Sequence, residues 1–478
     1  MQRIKAVGGW LRAELAVLVV ASLLGSTIAQ AEPQLPLPTH PGRQEVEPAR
    51  TMPRAAQPGR GEQTDTSLLR TTSRLPIPGK PSRDLAAPGQ SATGEADPEE
   101  EEEAPPPGLT NFLPHEWNGI TAEYIYTGEI FSNAHGGIST RNATGYRGNF
   151  DLVLNLDTQG MGLWDGGRFF IYAEENHGKA LSTRYVGDYQ FFSNIDSFPR
   201  AELTQVSEYW YQHNFADDTY WFKLGKQDAN ANFAYIDLGG DFINSSFGFM
   251  PTIPLVSYPN PGLGVALFAQ FNEHIQLAGG VYDAVPHGGQ WGFSTLGENG
   301  YLSLLHLEIK TQWGTDEQLP NTVRVGAWHH SGDWNEITTD PEPRTFSQNY
   351  GAWTSVEQLI WKEPGEEGDA QGLGLFGQFG WAPGNRSPVS EYYGAGLTYR
   401  GLVSGRDQDL LGLGMANAIF GAQQQAVGGQ SFETAVELFY KCYVNDYMTI
   451  QPDVQFIANP GGLYRDALVP GMRFEVVF

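Results

Sequence analysis

From Gly108 to Phe478 the chain is built on a period of two. In "NFDLVLNLD", Phe150, Leu152, Leu154 and Leu156 share one face of an extended strand, and Asn149, Asp151, Asn155 and Asp157 share the other. The same alternation sets Val323, Val325 and Ala327 against Arg324 and Trp328. It sets Val436, Leu438, Tyr440 and Cys442 against Glu437, Phe439 and Lys441. It also sets Met448, Ile450, Val454 and Phe456 against Thr449, Gln451, Asp453 and Gln455. Gly, Pro, Asn and Asp clusters separate these runs, so they read as short strands joined by turns. No later segment offers an uninterrupted apolar run of about 18 residues, and no long helix or fixed repeat is legible.

A soluble sandwich and a membrane barrel both alternate in this way. Two features favour the barrel. Aromatic residues gather near strand ends, at Tyr209, Tyr211, Trp221 and Tyr440, as interfacial belts require. The last strand, "ALVPGMRFEVVF", runs to the final residue, as a barrel closing on its own first strand would need. The 58 glycines and 12% aromatics suit tightly turning strands with aromatic girdles. The expected fold is all-β: a transmembrane antiparallel β-barrel of about sixteen strands.

The N-terminus reads as an export signal. Arg3, Lys5 and Arg12 precede a short apolar run from Leu15 to Leu24, and Ala29-Gln30-Ala31 fits the small-residue cleavage rule. Residues 1–31 are therefore expected to be a signal peptide. Residues 32–107 are rich in Pro and polar residues and end in "DPEEEEEAPPPG", a composition expected to stay disordered, as a spacer or tether. The barrel domain is expected over 108–478. The single Cys442 excludes an intramolecular disulfide framework.

Up to Pro107 there are 11 basic and 14 acidic residues; of the chain's 29 and 55 this leaves 18 and 41, a balance of −23 for the barrel region. Clustered basic residues for phosphate are lacking, so nucleic acid is not an expected partner.

Two blocks carry a family resemblance. "WFKLGKQDANANFAYIDLGGDFINSSFGFMPTIPLVSYPNPGLGVALF" (221–268) and "ETAVELFYKCYVNDYMTIQPDVQFIANPGGLYRDALVPGMRFEVVF" (433–478) resemble the carbohydrate-selective porins of Gram-negative outer membranes, the OprB-like family. "EYWYQHNFADD" (208–218) is a weaker third match. The resemblance covers roughly 108–478. It implies an outer-membrane barrel of sixteen strands that passes monosaccharides by diffusion. It also implies that the terminal aromatic, Phe478, is read as an assembly signal by the barrel-assembly machinery.

A sugar is neutral, many-hydroxylated and apolar on its ring faces. A pore that favours it needs donors, acceptors and aromatic surfaces that bind weakly enough to release. The polar faces supply Arg147, Asp151, Glu175, Glu208, Arg324, Arg400, Glu437, Asp453 and Arg473 as lumen candidates, with Trp210 and Trp328 as aromatic surfaces. The resemblance adds Lys226 and Asp228 and strengthens Glu208 and Arg473. Pro452 removes a ladder donor, so a bulge or irregularity is expected there.

No catalytic group, cofactor or metal is expected. Glu174 and Glu175, and His329 and His330, are strand neighbours that face opposite sides. Expected partners are sugars and outer-membrane lipids, with a monomer favoured and association left open. A general porin and a secreted soluble β-protein that binds or cleaves polysaccharide are the alternatives.

Overall fold

The computed structural model describes residues 115–196, 202–286, 291–313, 319–363, 371–422 and 429–478. The expected signal peptide, the Pro-rich segment and residues 108–114 lie outside these. Eighteen strands form one sheet, of which Glu116–Trp117 and His135–Gly137 are stubs. The other sixteen are β1 Ile120–Ser132, β2 Thr144–Asp157, β3 Gly167–Gly178, β4 Leu203–Phe215, β5 Tyr220–Gln227, β6 Gly262–Asn272, β7 Ile275–Asp283 and β8 Tyr301–Trp313. They continue with β9 Leu319–His330, β10 Asn349–Lys362, β11 Gly372–Trp381, β12 Val389–Arg400, β13 Leu410–Phe420, β14 Phe432–Asn445, β15 Met448–Ala458 and β16 Arg465–Val477. Each pairs antiparallel with its sequence neighbours, and β16 pairs β1 from Ile125↔Val477 to Phe131↔Gly471. The sheet is thus a closed barrel with no free edge, which leaves no unpaired backbone for lipid. The Phe478 amide donates to the Tyr124 carbonyl beside this seam at 2.9 Å.

Alternation decides which side chains meet lipid. Leu307, Val325, Val356, Leu375, Leu413, Leu438 and Phe456 stand exposed on the outer wall. At one rim Tyr350 meets Trp381 at 6.1 Å and Phe379 meets Tyr393 at 5.2 Å. At the other, Phe169 meets Tyr211 at 4.7 Å, Phe215 meets Tyr220 at 5.8 Å and Trp361 meets Tyr399 at 5.8 Å. An apolar band between two aromatic girdles is what a membrane requires, and a water-soluble sandwich has no use for it.

Three sequence expectations are corrected here. Trp221 does not belong to a girdle: it faces inward, stacked on Phe268 at 4.9 Å. Glu175 points outward, because it pairs with Phe150, while Glu174 faces the lumen. At Pro452 there is no bulge, since the register runs straight through and the shift falls between Tyr443 and Asn445; the irregularity is an interrupted ladder, with the Pro452 and Gln451 rungs toward β14 not formed.

Turns such as Glu273-His274 and Asp446-Tyr447 mark the periplasmic rim, where outer-membrane barrels keep their connections short. On the opposite, extracellular side the connections after β3 and β5 are long, and residues 179–196 and 228–261 of them fold into the barrel. Residues 228–261 carry an apolar core inward. Phe242 packs edge-on against Phe439 at 5.0 Å and Phe376 at 5.6 Å, and Phe247 lies 4.3 Å from Phe242. Trp328, Trp353 and Tyr392 of the wall complete this cluster. The interior is therefore not uniformly polar: one side is filled by packed side chains, which narrows the passage.

Candidate functional site

Loop 228–261 crosses the lumen and is pinned to the far wall. Glu437 on β14 accepts the amides of Ile243 at 2.6 Å and Asn244 at 2.9 Å. Glu357 on β10 accepts the Leu238 amide at 2.6 Å. Lys441 pairs with Asp241 at 2.9 Å, and Gln451 donates to the Asp241 carbonyl at 2.8 Å. The tip holds one helical turn, Ser245–Gly248, which Asn244 caps by accepting the Ser246 amide at 3.0 Å. At the root, Asp228 accepts the Asn230 amide at 2.8 Å and the Ser257 hydroxyl at 2.9 Å.

Loop 179–196 is held by the same device. Glu433 accepts the amides of Tyr189 and Gln190, each at 2.8 Å. Arg147 pairs with Asp196 at 3.2 Å. Arg473 joins Glu129 at 2.9 Å and donates to Asn194 at 2.7 Å. The Asn194 amide donates to the Ile243 carbonyl at 2.8 Å, so the two loops brace each other. Burial, and then the Glu433 charge, raise the Asp188 carboxyl above the usual carboxylate range.

A charged cluster lies where β8, β9 and β10 meet loop 228–261. The Arg324 guanidinium donates to Glu308 at 2.7 Å, to Asp237 at 2.8 Å and to Glu357, and it lies 4.0 Å above the Tyr235 ring. Lys310 reaches Glu308 at 3.0 Å. Arg324 is buried, yet the Asp237 side chain is 69% exposed and that of Lys310 47%. Burial foremost raises the Tyr235 phenol, which stays protonated and donates to Glu308 at 2.7 Å. Three carboxylates and two cations here present donors and acceptors side by side over an aromatic face.

The sequence candidates sort by what the loops do to them. Arg147, Glu437 and Arg473 face inward but are buried clamps. Asp453 is buried beside them and accepts from Gln455 at 3.2 Å. Glu208 accepts the Asp228 amide at 3.2 Å and the Trp210 indole N–H at 3.1 Å, beside a β-bulge between β3 and β4. Trp210 is covered too, stacked on Phe170 at 4.7 Å with the Lys223 ammonium 4.6 Å from its ring. Trp328 lies in the apolar core. Lys226, expected in the lumen, lies instead on the outward face opposite Tyr209, where it is fully buried and donates to the Val206 carbonyl at 3.0 Å. Arg400 sits at the periplasmic end of β12 and donates to the Gln408 carbonyl at 2.9 Å. Asp151 is half-exposed on the inward face, where Asn149 donates to it at 2.7 Å. Glu175, 43% exposed, pairs with His177 at 2.8 Å outside the barrel.

Asp237, Glu308, Lys310 and Tyr235 were missed by the sequence reading. Glu308 and Lys310 lie on a strand where polar residues alternate with Leu307 and Ile309, so that pattern was readable. The signal for Tyr235 and Asp237 is subtler: loop 228–261 carries far more Phe and Ile than a water-exposed loop should.

Comparison with known proteins agrees with this architecture. The profile of the carbohydrate-selective porin, OprB family, matches residues 141–478. Porin B of Pseudomonas aeruginosa is 23% identical over 415 residues, spanning 76% of this chain and 90% of that protein. The putative porin QuiX of Acinetobacter baylyi is 22% identical over 401 residues, spanning 74% and 89%. The structure of Pseudomonas putida OprB at high pH superposes with a TM-score of 0.68 at 20% identity, covering 76% of this chain and 94% of that one. Family and fold are those of channel proteins of the outer membrane: the chain belongs to the carbohydrate-selective porins of the OprB family.

Proposed function

We propose that this porin passes monosaccharides by passive diffusion, with the Asp237–Arg324–Lys310 cluster as the main polar contact of the sugar. The observation that carries this reading is the exposure of Asp237: its carboxylate faces open space while it holds a buried guanidinium stacked on Tyr235. A carboxylate accepts sugar hydroxyls through charge-assisted hydrogen bonds, and the neighbouring ammonium donates to them. No single contact is strong enough to trap a solute that must leave. Asp151, on the inner face of β2, is a second contact on the path.

Liposome swelling tests the proposal with glucose, a disaccharide and an amino acid of glucose's size at equal osmolarity. Glucose should enter fastest. Asp237→Asn keeps the shape but removes the charge, and should lower the ratio of glucose to amino-acid rate several-fold. Equal rates in the native protein would make it a general porin. An unchanged ratio in the variant would remove Asp237 from the path.

A further inference from the structure

The connection from β7 to β8 behaves unlike the two loops in the lumen. Residues 291–300, the longer of its two described stretches, lie against the outside of the barrel. Asp283, the last residue of β7, belongs to the outward face, since its neighbour Tyr282 packs inward, 6.2 Å from Phe233. An outward carboxylate is costly in a barrel wall unless it finds partners. Asp283 is only 1% exposed, and it accepts the Thr295 hydroxyl and the Gly297 amide, each at 3.1 Å. Farther along, the Trp291 carbonyl accepts the outward Tyr209 hydroxyl, and the two rings lie 5.6 Å apart. Gly292 presses so closely on outward Leu263 that an added Cβ would come within 3.1 Å of its side chain. Pinned at these points, the flap turns Trp291, Phe293 and Leu296 away from the protein, with exposures of 62%, 69% and 52%.

The flap lies beside the wall, not above it. From Tyr209, β4 continues six residues on the extracellular side, to Leu203. That is about 20 Å of strand at roughly 3.3 Å per residue, or about 15 Å of height at a tilt of about 40°. At its upper end Asp283 is paired with Tyr301, another exposed aromatic of the outer wall. The apolar tips of the flap are thus continuous with the surface that already faces lipid.

We propose that residues 291–300 form a lateral anchor, with Trp291, Phe293 and Leu296 entering the acyl-chain region of the outer leaflet. The anchor occupies one sector of the circumference, so it gives the barrel a preferred depth and tilt on that side. Asp283 is its latch.

The test places a nitroxide at Phe293→Cys, or at Leu296→Cys as a second site, in a Cys442→Ser background. The full-length protein is reconstituted in phosphatidylethanolamine–phosphatidylglycerol vesicles, and heat-modifiable gel mobility verifies the folded barrel. Power saturation should show oxygen collisions far exceeding those of a water-soluble nickel chelate, as at an outward control, Leu413→Cys. Nickel collisions at the level of a water-exposed label would overturn the proposal. So would a label shielded from both reagents, which would mean a protein surface, such as a second copy, covers the flap. Combining Asp283→Ala with Thr295→Val should raise nickel access at Phe293→Cys several-fold. Unchanged access would refute the latch.

Discussion

Glu437→Ala should loosen the constriction. Both oxygens of this fully buried carboxyl are used, by the amides of Ile243 and Asn244. Truncation leaves two backbone donors without partners in a dry site, and each costs about 1–3 kcal/mol. Even the lower figure, about 2 kcal/mol for the pair, raises the ratio of released to seated loop roughly 30-fold. Glu437→Gln retains one acceptor and turns an amide donor toward the second N–H, so it should fall between. Single-channel recording in planar bilayers reads the effect as visits to a larger conductance level, most frequent for Ala, fewer for Gln and fewest for the native protein. The glucose preference in swelling should fall in the same order. Native-like conductance, noise and preference from a folded Glu437→Ala barrel would refute the reasoning. It would mean that Phe242 and Phe247, packed against Phe376 and Phe439, hold the loop without the clamp.

Gly326→Ala should destabilise the barrel, because the added Cβ would stand 2.0 Å from the buried Trp353 ring. Overpacking of this kind costs about 1–3 kcal/mol. Gly377→Ala, whose Cβ would meet only the Val356 side chain at 3.5 Å, serves as control, and equal unfolding temperatures for the two would refute the packing argument. The raised Asp188 carboxyl binds its proton more tightly in the seated loop than in a released one. Its contribution is therefore complete below the ordinary carboxylate range and is lost as pH rises through the raised value. Channel noise should grow with pH across that window and flatten in Asp188→Asn; an opposite slope, or an unflattened one, would sink the assignment.

The faces of the strands were legible because parity is a local property. At Arg324, Glu437, Asp453 and Arg473 polar and apolar residues alternate cleanly, and all four point inward. The parity of β3 was also present in the sequence, with Phe169, Ile171 and Ala173 against Arg168, Glu174 and Asn176. Phe170 and Tyr172 on the inward face blur it, and Glu175 was placed on the wrong side. Trp221 misled for a related reason: an aromatic near a strand end marks a girdle only if it faces out, and here the lumen has an apolar core of its own. The core was not legible. It forms between a loop and strands far away in the chain, as in the Ile243–Glu437 contact across 194 residues, and no local period encodes that.

Burial by the loops also explains why so many inward charges are spent on loop contacts. A carboxylate in a water-filled lumen keeps most of its hydration, so selection for a polar lumen alone leaves its position loose. Covered by a loop it must find donors or become very costly. A loop driven inward by Phe and Ile side chains brings the opposite problem, backbone amides that have lost water and have no ladder to join. Glu433 and Glu437 solve both at once, each accepting two successive amides, and Arg147, Arg473 and Lys441 secure the loops' own polar groups. The alternation that marks the chain as a barrel therefore supplies the anchors that narrow it, and the charges it leaves exposed beside them, Asp237 on the loop and Lys310 on the wall, are the ones proposed to meet a solute.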